Sequence, residues 1–318
     1  MKILVTGHDG FIANAILGKL KEEGNFIVGI EKEKNTKKLY RYSPDVEIIG
    51  DMRDYDLLRR IITEYEIDEI YHLASWPIAS VCANDPYTTF DINIMGLVKL
   101  LEAVRHSGYP VKNIIISTSD KAFGNAPVPY TEKSPLSPLF SYDTSKACQQ
   151  MIALCYFRNY NLPIKIVACS NIYGPGDYNF TRVIPRTIAR LYQGKPAWLW
   201  KDSENHIREF VYIDDCAEAF LTVRKNGQNG EVYCCGGTEY LKIKELMEKL
   251  CVLMDKNPNY HIQIGQRPIN LMEIEEQYIN STKLRNIGWI PKMSLNEGLK
   301  KSIEFYTRLI DEKKTNID

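Results

Sequence analysis

The sequence predicts an α/β fold in which helices cover both faces of a parallel β-sheet, with a smaller α/β region toward the C terminus. Over residues 1–170, short apolar runs of strand length alternate with longer segments of helical periodicity. A glycine-containing turn follows the first apolar run, and the alternation weakens after residue 171. Repeated strand–helix units place consecutive strands parallel to one another, because each helix crosses back over the sheet.

The predicted strands are short runs rich in Ile, Val and Leu, and the predicted helices lie between them. The strands cover residues 2–6, 26–30, 45–49, 69–73, 113–117 and 164–168. The helices cover residues 11–23, 54–65, about 86–107 and 142–160, with apolar positions three or four residues apart. Asp85 and Pro86 suit the N-cap and the first turn of the third helix.

The C-terminal region, residues 171–318, has fewer regular segments. A helix is predicted from about Lys242 to Met254, and another begins with the capping-box pattern Ser294-x-x-Glu297. Apolar runs at 209–213 and 231–234 read as late strands that return to the first sheet. We therefore predict a first domain over residues 1–170, supplemented by strands from about 209–235, and a second region over 171–318.

The composition argues against several classes of protein. Lys and Arg together number 40, as do Asp and Glu, so no basic face for a nucleic acid is expected. No apolar run approaches the ~20 residues of a membrane span, and the first residues lack the apolar length of a signal peptide. The eight cysteines form no CxxC pair and the five histidines have no ligand spacing. We expect a cytoplasmic protein with reduced thiols and no metal site.

The turn after the first strand has the pattern of a dinucleotide site. Gly7 and Gly10 allow backbone N–H groups to approach a pyrophosphate, and the helix that begins at Phe11-Ile12 adds its positive N-terminal end. Glu31 ends the second strand, where a carboxylate holds the ribose hydroxyls of NAD and repels the 2′-phosphate of NADP. Further cofactor contacts are expected after the third and fourth strands, at Asp51, Met52, Leu73, Ala74 and Ser75.

Tyr142 and Lys146 are the candidate redox pair. They stand four residues apart on a predicted helix, so they share one face. A nearby cation lowers the pKa of a phenol, and such a tyrosine can accept a hydroxyl proton as hydride leaves the same carbon. We also expect Lys146 to contact the cofactor.

A second polar group follows the fifth strand, at the edge where parallel sheets bind ligands. Thr118 or Ser119 could hydrogen-bond the reacting substrate oxygen. Asp120 and Lys121 add an acid–base pair. A simple alcohol oxidation needs no such pair, whereas an elimination needs one group to remove a carbon-bound proton and another to protonate the departing water. The alternative is a local ion pair on a loop.

Further motifs extend over nearly the whole chain. They are His72-Leu73-Ala74, Asn93, Asn171-Ile172-Tyr173-Gly174-Pro175-Gly176, Arg208-Glu209-Phe210-Val211-Tyr212-Ile213-Asp214-Asp215 and Ser281-Thr282-Lys283-Leu284. With the turn and the Tyr142/Lys146 pair, they resemble the extended short-chain dehydrogenase/reductase family, the NAD-dependent epimerases and dehydratases. The resemblance implies a Rossmann-type doubly wound sheet, a C-terminal substrate-binding region, NAD, a nucleotide-sugar substrate, and a homodimer formed by the helices at 86–107 and 142–160. A monomer with these helices buried is the alternative.

Within the family, Thr118-Ser119-Asp120-Lys121 and the segment 174–185 look most like the CDP-glucose 4,6-dehydratases and close relatives. The resemblance implies oxidation at C4 by way of Tyr142, loss of water across C5–C6 with Asp120 as the acid, and hydride return to C6. It also implies that the nucleotide diphosphate contacts Asn171, Arg182, Arg208 and Arg267. A nucleotide-sugar 4-epimerase and a non-catalytic nucleotide sensor are the alternative functions.

Overall fold

The centre of the computed structural model, which describes residues 1–33, 42–266 and 273–312, is a seven-stranded parallel sheet. The strands are, in chain order, β1 (Lys2–Thr6), β2 (Phe26–Glu31), β3 (Val46–Ile49), β4 (Glu69–His72), β5 (Asn113–Ser119), β6 (Ile164–Cys169), β7 (Asn171–Tyr173), β8 (Ala197–Trp200), β9 (Ile207–Tyr212), β10 (Glu231–Cys235), β11 (Tyr240–Lys242), β12 (Ile262–Gly265) and β13 (Glu276–Gln277). The large sheet has the order β10-β6-β5-β4-β1-β2-β3. The strand order runs outward from β1 in both directions, to β2 and β3 on one side and to β4, β5, β6 and β10 on the other. This change of direction between β1 and β4 creates a crevice at their carboxyl ends.

Helices cover both faces of this sheet. They are α1 (Phe11–Glu22), α2 (Tyr55–Glu64), α3 (Ala79–Asn84), α4 (Pro86–Phe90), α5 (Gly96–His106), α6 (Ser141–Tyr160), α7 (Val183–Tyr192), α8 (Ile213–Asn226), α9 (Ile243–Leu253), α10 (Pro258–His261), α11 (Thr282–Asn286) and α12 (Leu295–Asp311). One buried cluster joins the sheet to α1 and α8, and the other joins it to α2 and α5. The predicted α/β fold with a doubly wound parallel sheet is therefore confirmed.

The predicted third helix has an irregular middle. Asp85 caps its start by accepting a hydrogen bond from the N–H of Thr88 at 3.0 Å, as the sequence predicts. A π-helical turn over Asp91–Met95 then separates α4 from α5. π-helical turns of this kind are frequent at functional sites, and this one carries the buried Asn93.

The late strands separate into two groups. β10 joins the large sheet beside β6, as expected for residues 231–234. The predicted return of residues 209–213 to that sheet is wrong: β9 lies in a small sheet with β7, β11 and β13, and residue 213 begins α8. The reason is that α8, which lies between β9 and β10 in the sequence, packs on the large sheet. β9 pairs instead with β7, β11 and β13.

Two helices that help shape this region escape the sequence prediction. α7 contains Pro185, and α8 follows β9 without a loop. Pro185 is the third residue of α7, where its missing N–H costs no helical hydrogen bond. Across the described ranges, none of the helices has both the length and the apolar character that crossing a membrane requires.

Candidate active site

A cavity of about 1430 Å³ opens at the carboxyl ends of the central strands. The turn after β1 and the ends of β2 and β4 line one part of it. The end of β5, the start of α6, and residues of α7 and β9 line the remainder. The predicted cofactor and catalytic residues therefore face one connected space, which is the arrangement a two-substrate site requires.

The glycine turn has the shape of a phosphate cradle. Gly7 has φ +66°, and a Cβ there would lie 2.8 Å from the Cα of Ala74. Only glycine fits this position without strain. The N–H of Gly10 donates to the carbonyl of Gly7 at 2.9 Å, which closes the turn just before α1. Phe11 and Ile12 line the same cavity, so the residues fit a dinucleotide pyrophosphate.

A hydroxyl beneath the turn fixes the neighbouring strand ends. Thr6 Oγ1 accepts hydrogen bonds from the N–H groups of Leu73 and Ala74 at 3.1 and 3.2 Å, so its proton is directed to His72 Nδ1 at 3.0 Å. Burial lowers the pKa of His72 to about 3, so its imidazole is neutral. This network holds Leu73, Ala74 and the following Ser75 in the cavity wall.

Glu31 lies at the end of β2, where the cavity would receive a ribose. Its carboxylate accepts hydrogen bonds from the N–H groups of Asp9 and Lys32 at 3.4 and 3.1 Å. Burial raises the pKa of Glu31, and the nearby Asp9 charge adds to the effect. A carboxylate in this position suits two ribose hydroxyls.

Asp51 and Met52 also line the cavity, but Asp51 has a partner that the sequence did not reveal. Arg53 pairs with Asp51 at 2.6 Å and with Asp91 at 2.6 Å. These hydrogen bonds lower the pKa of Asp51. Arg53 therefore connects the loop after β3 to the π-helical turn.

Lys146 is held by the backbone beneath Tyr142. Its Nζ donates to the carbonyl of Ser117 at 3.3 Å and lies 5.8 Å from the centroid of the Tyr142 ring. Burial lowers the pKa of Lys146 to about 8. The structure thus brings the predicted pair together at the floor of the cavity.

The predicted lowering of the Tyr142 pKa is wrong for the protein alone. Burial raises the pKa of this phenol above its ordinary value, and Arg182 is the cation that opposes the rise most. The physical reason is that loss of water around a phenolate outweighs the distant charges.

The residues after β5 form a compact polar group. Ser119 Oγ donates to Asp120 Oδ1 at 3.0 Å and accepts from the N–H of Lys121 at 3.2 Å. Thr118 Oγ1 accepts from Gln150 Nε2 at 3.1 Å and is buried against α6. Thr118, Ser119, Asp120 and Lys121 all line the cavity.

Asp120 has the environment of a general acid. Only 1% of it is exposed, and its Oδ2 has no hydrogen bond within the described part of the chain. Burial raises its pKa to about 6, while the Lys121 charge and the Ser119 hydroxyl moderate the rise. The carboxyl group can therefore hold a proton near neutral pH.

The predicted phosphate residues line the opposite wall, with one exception. Arg182 lies 3.4 Å from Asp177, and Asn171 Nδ2 donates to the carbonyl of Glu209 at 3.0 Å. Arg208 donates to the carbonyls of Ile207, Glu275 and Ile274 at 2.8, 3.0 and 2.5 Å, so it also fixes the chain near β13. Arg267 lies outside the described residues.

Two residues were missed as functional candidates. Arg186 lies one helical turn after Arg182, lines the cavity, and has a buried Nε with no hydrogen bond among the described residues. Asn93 accepts from the N–H of Trp76 at 2.7 Å and donates to Ser145 Oγ at 2.9 Å. The i, i+4 spacing of the two arginines could have indicated a shared face, but the π-helical turn that directs Asn93 inward has no known sequence signal.

The turn, the ribose carboxylate and the Tyr142/Lys146 pair in one crevice define an NAD-dependent enzyme of the Rossmann-type dehydratase and epimerase class. The chain matches the GDP-mannose 4,6 dehydratase family over residues 4–302, and it belongs to that family. A trifunctional UDP-glucose 4,6-dehydratase, UDP-4-keto-6-deoxy-D-glucose 3,5-epimerase and UDP-4-keto-L-rhamnose reductase of Arabidopsis thaliana is 30% identical over 319 residues. That alignment covers 96% of this chain and 47% of the relative, so the chain spans about half of that protein's length.

Two solved structures show the same fold. The dTDP-glucose 4,6-dehydratase of Bacillus anthracis in complex with NAD has a TM-score of 0.86 and 26% identity, covering 99% of this chain and 100% of that chain. The UDP-glucose 4-epimerase of Thermotoga maritima with UDP-glucose has a TM-score of 0.88 and 27% identity, covering 98% and 100%. These comparisons confirm the predicted family and support the predicted dehydratase activity and NAD.

Proposed function

We propose that this protein is an NAD-dependent nucleotide-sugar 4,6-dehydratase, which converts a nucleoside diphosphate hexose to its 4-keto-6-deoxy derivative. One observation carries the proposal: the Tyr142/Lys146 pair, the buried Asp120 and the half-buried Lys121 line the same cavity as the glycine turn. A redox pair alone oxidises and reduces, whereas the added acid–base pair suits an elimination. The substrate must reach both pairs, so both steps take place in one bound orientation.

The glycine turn would hold the cofactor pyrophosphate, and Glu31 its adenosine ribose. Met52, Leu73, Ala74 and Ser75 would form the surrounding wall. When bound, NAD supplies a hydride acceptor for C4 and a hydride donor for C6. Lys146 would hold the cofactor's second ribose from below and keep a positive charge near the phenol.

The first step of the proposed mechanism is a proton transfer to Tyr142. The phenolate oxygen accepts the proton of the C4 hydroxyl while the C4–H bond breaks, which gives a C4 ketone. The raised pKa of Tyr142 means that this phenolate needs positive charge beyond that of the protein alone, which the bound cofactor ring would add. Ser119 lines the same cavity and would hydrogen-bond the same oxygen.

The second step uses the residues after β5. The C4 ketone acidifies the C5–H bond, and Lys121 would take the C5 proton. Asp120 gives its proton to the C6 hydroxyl, so the C6–O bond breaks and water departs. A hydride then adds to C6 and a proton adds to C5, which completes the 4-keto-6-deoxy sugar. Asp120 suits its role because burial raises its pKa to about 6, so that it stays mostly protonated below that pH.

The nucleotide diphosphate would lie against α7 and β9. Arg182 and Arg186 share one face of the α7 start, and Arg208 and Asn171 lie across the cavity. Arginine can bind phosphate oxygens in a bidentate manner. We propose glucose as the hexose, because the substrates named for the relatives described above and the resemblance to CDP-glucose dehydratases share that sugar.

The proposed reaction is tested by incubating the NAD-loaded protein with CDP-, UDP- and dTDP-glucose. We expect one of the three to yield a product lighter by one water and absorbing as a 4-keto sugar. A product of unchanged mass with inverted C4 would instead show an epimerase. No conversion of any hexose donor, with the ligand bound, would favour a nucleotide sensor.

The 4-epimerase is the second candidate, favoured by the similarity to the Thermotoga maritima structure. It would need only the redox pair and a sugar that turns over between oxidation and reduction. The buried Asp120 would then have no chemical task. Retention of full turnover in Asp120→Asn would therefore favour the epimerase.

We also propose a homodimer in the cytoplasm. Met95, Met151 and Tyr160 lie exposed on the helical layer that contains α5 and α6, with Met151 61% exposed. An apolar helical surface of this kind suits contact with a second copy. Sedimentation equilibrium at micromolar concentration should give twice the chain mass of 36.6 kDa, and a monomer mass would contradict the dimer.

A further inference from the structure

Three buried cysteines lie together behind the active-site cavity. Cys169 ends β6, Cys235 ends the adjacent β10, and Cys216 lies in the first turns of α8. Their sulfur atoms all lie within 4.8 Å of one another, and those of Cys169 and Cys216 are 3.8 Å apart. The sequence positions are far apart, so the cluster exists only in the folded protein.

The size of the sulfur triangle matches a metal site. A metal–sulfur bond of about 2.3 Å places the ligands of a planar three-coordinate site about 4 Å apart. The Cys169–Cys216 separation of 3.8 Å is close to that value, and the other two separations are no longer than 4.8 Å. Small side-chain rotations, with no movement of β6 or β10, would bring the third sulfur into place.

The number and kind of donors favour a soft monovalent ion. Three thiols and no carboxylate or imidazole make up this group among the described residues. Thiolates bind Cu(I), zinc and iron–sulfur clusters, but zinc prefers four ligands in a closed site. Burial of all three sulfur atoms also excludes the water that zinc would need as a fourth ligand.

Charges of both signs lie near the cluster. Cys216 is the fourth residue of α8, near the positive end of the helix dipole, and the Lys146 ammonium acts on Cys169. The Asp215 carboxylate lies near Cys216 and opposes them. The two positive influences would offset part of the negative charge of three thiolates.

An entry route exists through the active site. Cys169 lines the large cavity, whereas Cys216 and Cys235 do not. An ion that reaches the cavity can exchange first onto Cys169 and then onto the two inner thiols. Exchange would release the thiol protons to water.

We propose that Cys169, Cys216 and Cys235 form a three-thiolate binding site for Cu(I). The ion would join the carboxyl ends of β6 and β10 to the start of α8. Cys169 lines the active-site cavity, whereas Cys216 and Cys235 do not and have no task in the proposed dehydratase reaction.

The test supplies Cu(I) as its acetonitrile complex, without oxygen, to the full chain in the presence of a competing Cu(I) chelator. The wild type should retain one copper per chain, and X-ray absorption should give sulfur neighbours at about 2.3 Å. Cys216→Ala and Cys235→Ala should each lower the affinity at least tenfold. Cys251→Ala is the matched control, because Cys251 is also buried but lies in α9, outside the cluster.

Three results would overturn the proposal. One is failure of the wild type to retain copper. Another is equal retention by Cys216→Ala, Cys235→Ala and the control, which would place the ion on other thiols such as the exposed Cys155. The third is displacement of Cu(I) by an equal concentration of Zn²⁺. NAD binding and the melting temperature of each variant distinguish loss of the site from loss of the fold.

Discussion

The proposed redox pair, Tyr142 and Lys146, and the proposed acid–base pair, Asp120 and Lys121, face the same cavity but differ in their hydrogen bonds. Lys146 is anchored by the carbonyl of Ser117, and burial lowers its pKa to about 8. Asp120 keeps one carboxylate oxygen without a hydrogen bond to any residue in the described ranges, and burial raises its pKa to about 6. The first pair is held in place, as a group that orients a cofactor must be. The second has spare hydrogen-bonding capacity, as a group that transfers a proton must have.

This difference suggests how dehydratases and epimerases can share one fold. The redox pair serves both reactions, so its geometry says nothing about which occurs. The acid–base pair is useful only when water leaves. The experiments below separate the two pairs, beginning with the change that should stop both steps.

Tyr142→Phe should have the largest effect. Removal of the phenol eliminates the acceptor for the C4 hydroxyl proton, so we expect turnover to fall by about 10³–10⁴-fold. Neither the 4-keto product nor reduced cofactor should accumulate in single-turnover experiments. NAD affinity, measured by calorimetry, serves as the control and should change little. Unchanged turnover would show that another group accepts the proton.

Asp120→Asn should separate the two pairs. The amide cannot protonate the leaving C6 oxygen, so we expect water loss to fall by about 10²–10³-fold. Oxidation at C4 and removal of the C5 proton should continue, and NMR in D₂O should detect deuterium at C5 of recovered sugar. Lys121→Met is the complementary variant and should abolish this exchange. Loss of exchange in Asp120→Asn would instead assign Asp120 as the base.

The pH dependence should show the two pairs as two separate transitions. Asp120 must be protonated to act as the acid, so the rate of C6–O cleavage in single-turnover experiments should fall about tenfold per pH unit above its pKa of about 6. A further fall should begin near pH 8, where Lys146 loses the proton that makes it a cation. In Asp120→Asn only the second transition should remain in the residual activity. A profile that rises between pH 6 and 8 would contradict the proposed protonation state of Asp120.

Glu31→Gln should have the smallest effect, and it should change neither the step that uses Tyr142 and Lys146 nor the step that uses Asp120 and Lys121. The neutral amide weakens the hydrogen bonds to the adenosine ribose, so we expect the Kd for NAD to rise about tenfold. The preference for NAD over NADP should decrease, because the repulsion of a 2′-phosphate is lost. With saturating NAD, kcat for both oxidation and water loss should stay near that of the wild type. A change in only one of these steps would show that Glu31 acts beyond cofactor binding.

The sequence predicted the first half of the fold well because local signals agreed there. β1, α1 and β2 follow apolar periodicity, and Gly7 has the positive φ that its place in the turn suggested. The capping box at Ser294 and Glu297 is present at the start of α12. These features depend on short-range contacts, which sequence spacing describes directly.

The remainder depended on contacts between distant segments. Arg186 was missed because Pro185 obscured α7, although proline fits a first helical turn. The predicted direction of the Tyr142 pKa shift was wrong, because the burial that raises this pKa depends on tertiary contacts. Likewise, the pairing of β9 depends on the nearby C-terminal strands, and its own sequence gives no information about its partner.

Asn93 joins the loop at Trp76 to Ser145 on the catalytic helix, and this link bears on how substrate range can change. The amide grips only the backbone of the loop, at the N–H and carbonyl of Trp76. Loop side chains can therefore be exchanged to suit a different hexose without moving the helix that carries Tyr142. Trp76, Pro77 and Ile78 all line the cavity, so their side chains are the positions at which to test whether donor preference can change while the helix stays in place.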